Sequence, residues 1–196
     1  MRFPVKIVLV AVGVLVLLSA LLLWSLVRRG FSTHDEPSWM EARAARALRH
    51  WSTPADLRDA KNPLALTPQV MTEARAHWAD HCASCHGNDG RGKTAIGEKL
   101  YPRAPDMTLP ATQELSDGEL FAIIENGIRL TGMPGWGNGT AESAYGSWGL
   151  VHLIRHLPEL TPEELAEMEA LNPKTPEQWE QMQAEEAFLS GETHQH

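Results

Sequence analysis

The chain has 196 residues and a formal net charge of −8, from 17 basic and 25 acidic residues. That length suffices for one ordinary domain with attachments, and the acidic excess argues against nucleic acid as a partner. The chain has only two cysteines, which excludes a disulfide framework and a zinc site built from two cysteine pairs.

The first predicted element is an apolar helix near the N-terminus. Residues 7–27 form an uncharged run, IVLVAVGVLVLLSALLLWSLV, and a helix of that length spans about 31 Å, the thickness of a bilayer core. The alternative is a cleaved signal peptide, but its apolar core is only about 7–15 residues long and ends at small residues. We therefore predict a retained anchor. Two basic residues flank each end of the run, so local charge does not set its orientation.

A short amphipathic helix and an irregular connector follow the anchor. Residues 38–51 lack Gly and Pro and are rich in Ala, Arg and Leu, which predicts a helix. Its expected apolar side consists of Trp39, Ala42, Leu48 and Trp51. The next stretch, STPADLRDAKNPLALTP, has three prolines and no clear period, which favours an irregular segment.

Several further helices are predicted from their start signals. A Thr-Pro pair followed by Gln or Glu supplies a capping oxygen, a first-turn proline and a polar or acidic side chain at the positive end of a helix. Such pairs begin at Thr67, Thr161 and Thr175. The last of these helices carries Trp179, Met182 and Phe188, which we expect to pack as a stripe against the domain. Ser116 and Glu119 form a capping box, and Asn126-Gly127 closes that helix; residues 147–157 are predicted as another helix. No stretch alternates with a two-residue period, so the predicted fold class is all-α with long loops.

Both cysteines lie in the segment DHCASCHGNDGRG, as Cys82-Ala83-Ser84-Cys85-His86. The pattern C-x-x-C-H is typical of covalent c-type haem attachment. Residues three and four apart share a helix face, so both sulfurs can reach the vinyl groups on one porphyrin edge while the imidazole of His86 faces the iron. The alternative is a thioredoxin-like redox pair, which requires a preceding strand. A predicted helix precedes this motif and glycines follow it, which favours haem.

From these residues, segment 67–158 resembles the class I cytochrome c family, in which a helix leads into C-x-x-C-H and a later loop carries a methionine ligand before a terminal helix crosses the first. Ala74 and Trp78 match the family's positions on the first helix, and Val151 and Ile154 match those on the last. The resemblance implies a cytochrome c fold with one covalently attached haem c, between an N-terminal transmembrane helix and a C-terminal helical extension.

The resemblance also implies the iron ligands and their surroundings. His86 would be the proximal ligand, and Met133 in NGIRLTGMPGWG matches the methionine loop, although Met71 and Met107 are alternatives. A thioether raises the potential relative to stronger donors. Pro105 resembles the proline whose carbonyl accepts the other ring N–H of the proximal histidine. Tyr101, Arg103, Arg129 and Trp136 are weaker candidates for the haem surroundings.

Two axial ligands leave no open site on the iron, so the predicted function is single-electron transfer rather than catalysis. The protein would be an electron carrier, alone or as a non-catalytic subunit of an oxidoreductase complex, with redox proteins as partners and no small-molecule substrate. The acidic excess favours basic docking patches on those partners. The alternatives are a haem peroxidase-type subunit, which requires a five-coordinate iron, and a haem sensor or copper-handling protein.

The predicted organisation has four segments: an anchor with its flanks (1–29), a juxtamembrane helix and connector (30–66), the cytochrome domain (67–158) and the extension (159–196). Because the resemblance implies haem attachment outside the cytoplasm, we expect a single-pass protein of the bacterial inner membrane with a periplasmic haem domain. Two histidine pairs with i, i+4 spacing and two tail histidines could also bind a metal, but a solvated surface is the simpler interpretation. They are His77 and His81, His152 and His156, and His194 and His196.

Overall fold

A computed structural model describes residues 5–30 and 32–190, which divide into two compact units after Glu36. The first unit contains helix α1, Val5–Arg29. Its segment Val5–Ser25 is long and apolar enough to cross a membrane by length and composition, a test that a signal sequence also passes. Near its end the guanidinium carbon of Arg28 lies 4.8 Å from the ring centroid of Trp24.

Among the described residues of the second unit the regular secondary structure is all helical, which confirms the predicted all-α class. Two 3-10 turns, Gly97–Lys99 and Leu157–Glu159, and one π-helical turn, Trp78–Cys82, join its α-helices. The helices are α2 Trp39–Ser52, α3 Ala55–Arg58, α4 Pro68–His77, α5 Ala83–His86, α6 Pro110–Gln113, α7 Asp117–Asn126, α8 Ala141–His156, α9 Pro162–Leu171 and α10 Pro176–Ser190.

The helix starts predicted from capping residues are confirmed, each with its cap, whereas the helix predicted over 147–157 begins earlier, since α8 runs Ala141–His156 behind the cap residue Thr140. Thr67 and Thr161 accept hydrogen bonds from the amides of Val70 and Glu164, and Ser116 forms the expected capping box with Glu119. Thr175 likewise accepts from the amide of Gln178. These local devices place four helices because each satisfies amide groups that the first turn leaves without an intrahelical partner.

The core lies where α4 and the π turn cross α8, as the resemblance implies. Ala74, Trp78, Val151 and Ile154 are at most 4 % exposed and belong to one apolar cluster. Gly149 brings the two helices close, since a Cβ at this position would lie 3.7 Å from the Cβ of Ala74. This crossing orients the helix that leads to the cysteines.

The predicted irregular connector packs firmly on the helical domain. The amide of Asn62 donates to Asp117 and its side chain donates to the Trp148 carbonyl, at 3.2 and 2.8 Å. Gly118 allows the closest approach, because its amide donates to the Ala60 carbonyl at 3.1 Å. A Cβ on Gly118 would lie 1.6 Å from the carbonyl oxygen of Leu57. The connector therefore forms part of the domain's surface layer.

This contact predicts that Gly118→Ala destabilises the protein. The added methyl cannot coexist with the Leu57 carbonyl, so the connector must move away, and we expect a loss of about 1–3 kcal/mol in the free energy of unfolding. Chemical denaturation of the purified holoprotein, followed by circular dichroism, measures it.

Gly149→Ala is the matched control, because the nearest atom to its added methyl would lie at an ordinary 3.7 Å. Alanine is the better helix former by about 1 kcal/mol, so this variant should be neutral or stabilised. Equal denaturation midpoints for the two variants would contradict the close approach of the connector.

The structure adds α9 to the packed domain. Met168 is fully buried within the same apolar cluster as the α4–α8 crossing. Glu164 accepts hydrogen bonds from Arg75 at 3.2 Å and is 3.0 Å from His156 Nε2. The Thr161 amide, then His156, lowers the pKa of Glu164. Part of the predicted C-terminal extension therefore covers the helix crossing.

Two sequence predictions about apolar helix faces are wrong. The stripe of Trp179, Met182 and Phe188 was expected to pack on the domain, but these side chains are 46–76 % exposed. In α2 the predicted apolar side does not exist as one face, because Trp39 and Leu48 are nine residues apart and lie on opposite sides of the helix. Trp39, Leu48 and Trp51 are 63–72 % exposed, whereas Ala42 is half-buried. Apolar content by itself does not say which face finds a neighbour, since that depends on how the helix is placed.

Candidate functional site

The cysteine motif sits at the end of one continuous helical segment. Helix α4 runs into the π-helical turn Trp78–Cys82, and α5, Ala83–His86, follows directly. The π turn was not predicted, because no residue pattern in this stretch distinguishes it from α-helix. Such turns are often found at functional sites, and this one ends at Cys82, the first cysteine of the motif.

This segment presents two thiols and one imidazole as groups that could bind a cofactor. Cys82 and Cys85 are free and half-buried, and burial, then the neighbouring Cys85, raises the pKa of Cys82 to about 12. Burial lowers the pKa of His86 to about 4, so its imidazole is neutral at pH 7, the form that ligates metals.

The His86 ring is held by packing and leaves one nitrogen without a partner. It lies 5.9 Å from the Trp78 ring, at 42° between planes, and the Trp78 indole donates to the Gly87 carbonyl at 2.9 Å. Nδ1 of His86 is buried without a hydrogen-bond partner. The expected bond from this nitrogen to the Pro105 carbonyl is therefore not formed in this structure, and Pro105 is exposed.

The loop after His86 folds back on the motif through close backbone contacts. The Gly92 amide donates to the His86 carbonyl at 2.7 Å, and the Thr94 hydroxyl donates to the Cys85 carbonyl at 3.1 Å. Gly97 lies so close that a Cβ would be 2.2 Å from the Cys85 carbonyl oxygen. These contacts fix the backbone of the second cysteine and the histidine.

The predicted methionine loop is pinned to the end of α7. The amides of Trp136 and Gly137 donate to the carbonyls of Ile124 and Glu125, at 2.9 and 3.0 Å. Within the loop, the Ile128 amide donates to the Met133 carbonyl at 3.1 Å. The Met133 amide donates to the Thr131 hydroxyl at the same distance. Met133 is half-buried.

This loop lies beside the cysteine motif. The Trp136 ring contacts the ring of His81 edge-on, with centroids 5.1 Å apart, and His81 directly precedes Cys82. At Gly132 a Cβ would lie 2.6 Å from a methyl carbon of Leu100, so the loop also meets the segment that follows the first turn. The fold therefore brings together the two ligand-bearing segments that the sequence predicts.

The two alternative methionines lie in different surroundings. Met107 is 7 % exposed and belongs to the apolar core, and its backbone amide donates to Gly90 at 2.8 Å. Met71 lines a groove of about 340 Å³ between α4, α8 and α9, together with Arg75, His152 and Glu164. Both methionines thus have packing roles that account for their positions.

The four weaker candidates for the haem surroundings lie in different environments. The Tyr101 hydroxyl donates to Glu41 on α2 at 2.7 Å. Arg103 and Arg129 are exposed, and Trp136 is 36 % exposed while it contacts His81. Their contacts with a haem stay a prediction.

The helical histidine pairs do not converge on one metal position. His152 Nε2 lies 2.9 Å from the Leu64 carbonyl, and His156 pairs with Glu164. His77 and His81 contact each other edge-on, with ring centroids 5.1 Å apart. Across residues 5–30 and 32–190, no cluster of three or more His, Cys, Asp or Glu side chains could hold a metal ion. The predicted tail ligands His194 and His196 lie outside the described residues.

The chemistry of the donor set fits a covalently bound haem. Two thiols and a neutral imidazole lie within five residues, and the imidazole keeps a buried nitrogen free of hydrogen bonds. A thioether half-buried in the adjacent loop adds a second group that could ligate iron. The first three residues would hold the group and Met133 would face it.

Comparison with known proteins agrees with this geometry. Residues 69–148 match the family model described as cytochrome C oxidase, cbb3-type, subunit III. The matched segment covers the helix before the cysteines, the motif itself, the methionine loop and the first half of α8. The search of curated proteins finds no match.

Proposed function

We propose that this chain is a membrane-anchored monohaem c-type cytochrome that carries single electrons, a proposal that the family match over residues 69–148 supports. The observation that carries the proposal is the juxtaposition of Cys82-Ala-Ser-Cys-His86 with the Met133 loop, through the contact between His81 and Trp136. A bound haem would supply one-electron chemistry at its iron.

Each residue of the site has a distinct part in this proposal. Cys82 and Cys85 would hold the haem through thioether bonds, and since the chain has no other cysteine, it would hold one haem. His86 and Met133 would ligate the iron, and ligation by two protein groups would disfavour binding of a substrate at the metal. The surrounding apolar core, with Trp78 against the His86 ring, would exclude water and keep the imidazole oriented.

The membrane anchor and the side of the membrane on which the haem domain lies are also proposals. Helix α1 supports anchoring by its length and its apolar side chains. Covalent haem attachment outside the cytoplasm, which the family resemblance implies, would place the second unit on the periplasmic side of the bacterial inner membrane.

The charge distribution supports a redox partner with a basic docking surface. Segment 159–196 carries ten Glu and one Lys, a formal −9, whereas segment 67–158 carries ten acidic and seven basic residues, a formal −3. Acidic charge of this kind steers a basic partner and makes the encounter rate salt-dependent. We therefore expect α9 and α10 to contribute most of that attraction.

Spectra of the purified protein test the proposed function. The full chain, produced in a host that attaches haem c, should give a low-spin six-coordinate spectrum in both oxidation states. It should keep its haem through acidified acetone, and carbon monoxide should bind slowly. A high-spin ferric spectrum with rapid uptake of carbon monoxide or peroxide would favour a peroxidase-type enzyme or a sensor instead.

A further inference from the structure

Helix α2 presents an apolar stripe that no described part of the chain covers. Met40, Leu48 and Trp51 are 61–72 % exposed, and Ala44 between them is also exposed. Their spacing of four, four and three residues places them on one face of the helix. This face was not predicted, because the sequence pattern suggested a different set of residues.

The helix is held on the domain by residues outside this stripe. Glu41 accepts a hydrogen bond from Tyr101 at 2.7 Å, and His50 Nδ1 lies 2.7 Å from the Glu119 carboxylate. Arg49 is half-buried; burial, which outweighs the attraction of Glu119, lowers its pKa. Because these contacts fix α2 on the domain, the stripe faces away from the domain.

The charge of α2 distinguishes it from the rest of the protein. Residues 39–52 contain three Arg and one Glu, a formal +2, whereas segment 159–196 has a formal −9. Arg43 borders the stripe, Arg46 lies farther round the helix, and both are exposed. An apolar face on a helix of net positive charge fits an anionic phospholipid surface, and this helix would repel the basic partner that the acidic segment favours.

The position of α2 in the chain keeps it close to the membrane if α1 spans the bilayer. Helix α1 ends at Arg29 and α2 begins at Trp39. Ten residue steps of extended chain reach at most about 36 Å. Tryptophan, which stands at both ends of α2 as Trp39 and Trp51, is enriched at the boundary between headgroups and acyl chains.

We infer that α2 lies on the membrane surface, with Met40, Ala44, Leu48 and Trp51 inserted among anionic phospholipids. This inference rests on the proposed membrane anchor. Since α2 is hydrogen-bonded to the haem domain through Glu41 and His50, its insertion would set the orientation of that domain on the bilayer. Helix α1 would attach the protein to the membrane, and α2 would set the orientation of the haem domain on the membrane surface.

Cysteine accessibility in lipid vesicles tests the inference. Ala44→Cys places a thiol in the stripe, and Ala184→Cys on α10 is the matched control, since both replace an exposed helical alanine. The native cysteines are consumed by haem, so only the new thiol reacts. The holoprotein is placed in vesicles of phosphatidylcholine and phosphatidylglycerol and treated with a membrane-impermeant maleimide. We expect loss of labelling at Ala44→Cys and full labelling at Ala184→Cys.

The possible outcomes separate this inference from the proposed anchor. Labelling at both positions in a protein that resists carbonate extraction overturns the inference and leaves the anchor intact. Extraction by carbonate contradicts the anchor itself. Protection of Ala44→Cys that persists in detergent without lipid overturns the inference in favour of contact with a protein.

A charge variant adds a second readout. Arg43→Glu combined with Arg46→Glu should restore labelling of Ala44→Cys in the anionic vesicles, because the reversed charges repel the lipid headgroups. The same pair should leave the haem spectrum unchanged, since neither arginine contacts the cysteine motif. Protection that survives charge reversal would contradict recognition of anionic lipid.

Discussion

Replacing both Cys82 and Cys85 by alanine is expected to abolish covalent haem. The two thiols are the only cysteines of the chain, so no other residue can form a thioether bond to the porphyrin. Haem staining of the full-length protein after denaturing electrophoresis measures it, and complete loss of the stained band is the expected result.

Single variants and a neighbouring control make this result specific. Cys82→Ala or Cys85→Ala alone should keep one thioether and a weaker stained band. Ser84→Ala removes an exposed hydroxyl between the two cysteines, which donates a hydrogen bond to the His81 carbonyl at 3.4 Å and lies 4.0 Å from Cys85 Sγ. It should retain full staining. Staining that persists in the double variant would show that haem is not attached through this motif.

Met133→Ala is expected to lower the reduction potential and to open the distal side of the iron. A thioether ligand raises the potential relative to water or stronger donors, and axial ligands span about 0.8 V among haem proteins. We therefore expect a fall on the order of 100 mV, together with rapid binding of carbon monoxide. Redox titration and absorption spectra of the holoprotein measure both effects.

Conservative changes at the other methionines are the controls. Met107→Leu and Met71→Leu keep apolar volume in the core and in the groove beside α4, so their spectra and potentials should match the unaltered protein. If Met133→Ala kept the spectrum of a six-coordinate iron with a sulfur ligand, Met133 would not be that ligand.

The sequence predicted the helices well wherever a local device begins them. The Thr-Pro pairs and the capping box at Ser116 act within four residues of chain, so no tertiary information is needed to recognise them. The cysteine motif is similarly local, because its two thiols and imidazole lie within five positions. The π turn that ends at Cys82 was missed, since its sequence differs in no evident way from that of an α-helix.

Apolar faces were predicted less well, for a physical reason that α2 and α10 share. Both helices carry large apolar residues, and the sequence pattern predicted that those of α10 pack on the domain and that those of α2 form one apolar side. In the structure Trp179 is 53 % and Trp51 is 72 % exposed. An apolar side chain lowers the free energy when it leaves water, whether the cover is the domain, a lipid or another protein. The sequence pattern therefore indicates that these side chains gain free energy from burial, but it does not identify whether the domain, a lipid or another protein buries them.

The sequence by itself determined the class of the fold, the anchor-length apolar helix and the residues that would hold a haem, because each depends on composition or on spacing within one helical turn. Only the tertiary structure decided that the connector packs on α7 through Gly118, that Met168 joins the core, and that the Met133 loop lies beside the cysteine motif. The contact between His81 and Trp136 joins residues 55 positions apart. Such contacts depend on how helices cross, and the free energy that sets a crossing comes from many side chains at once.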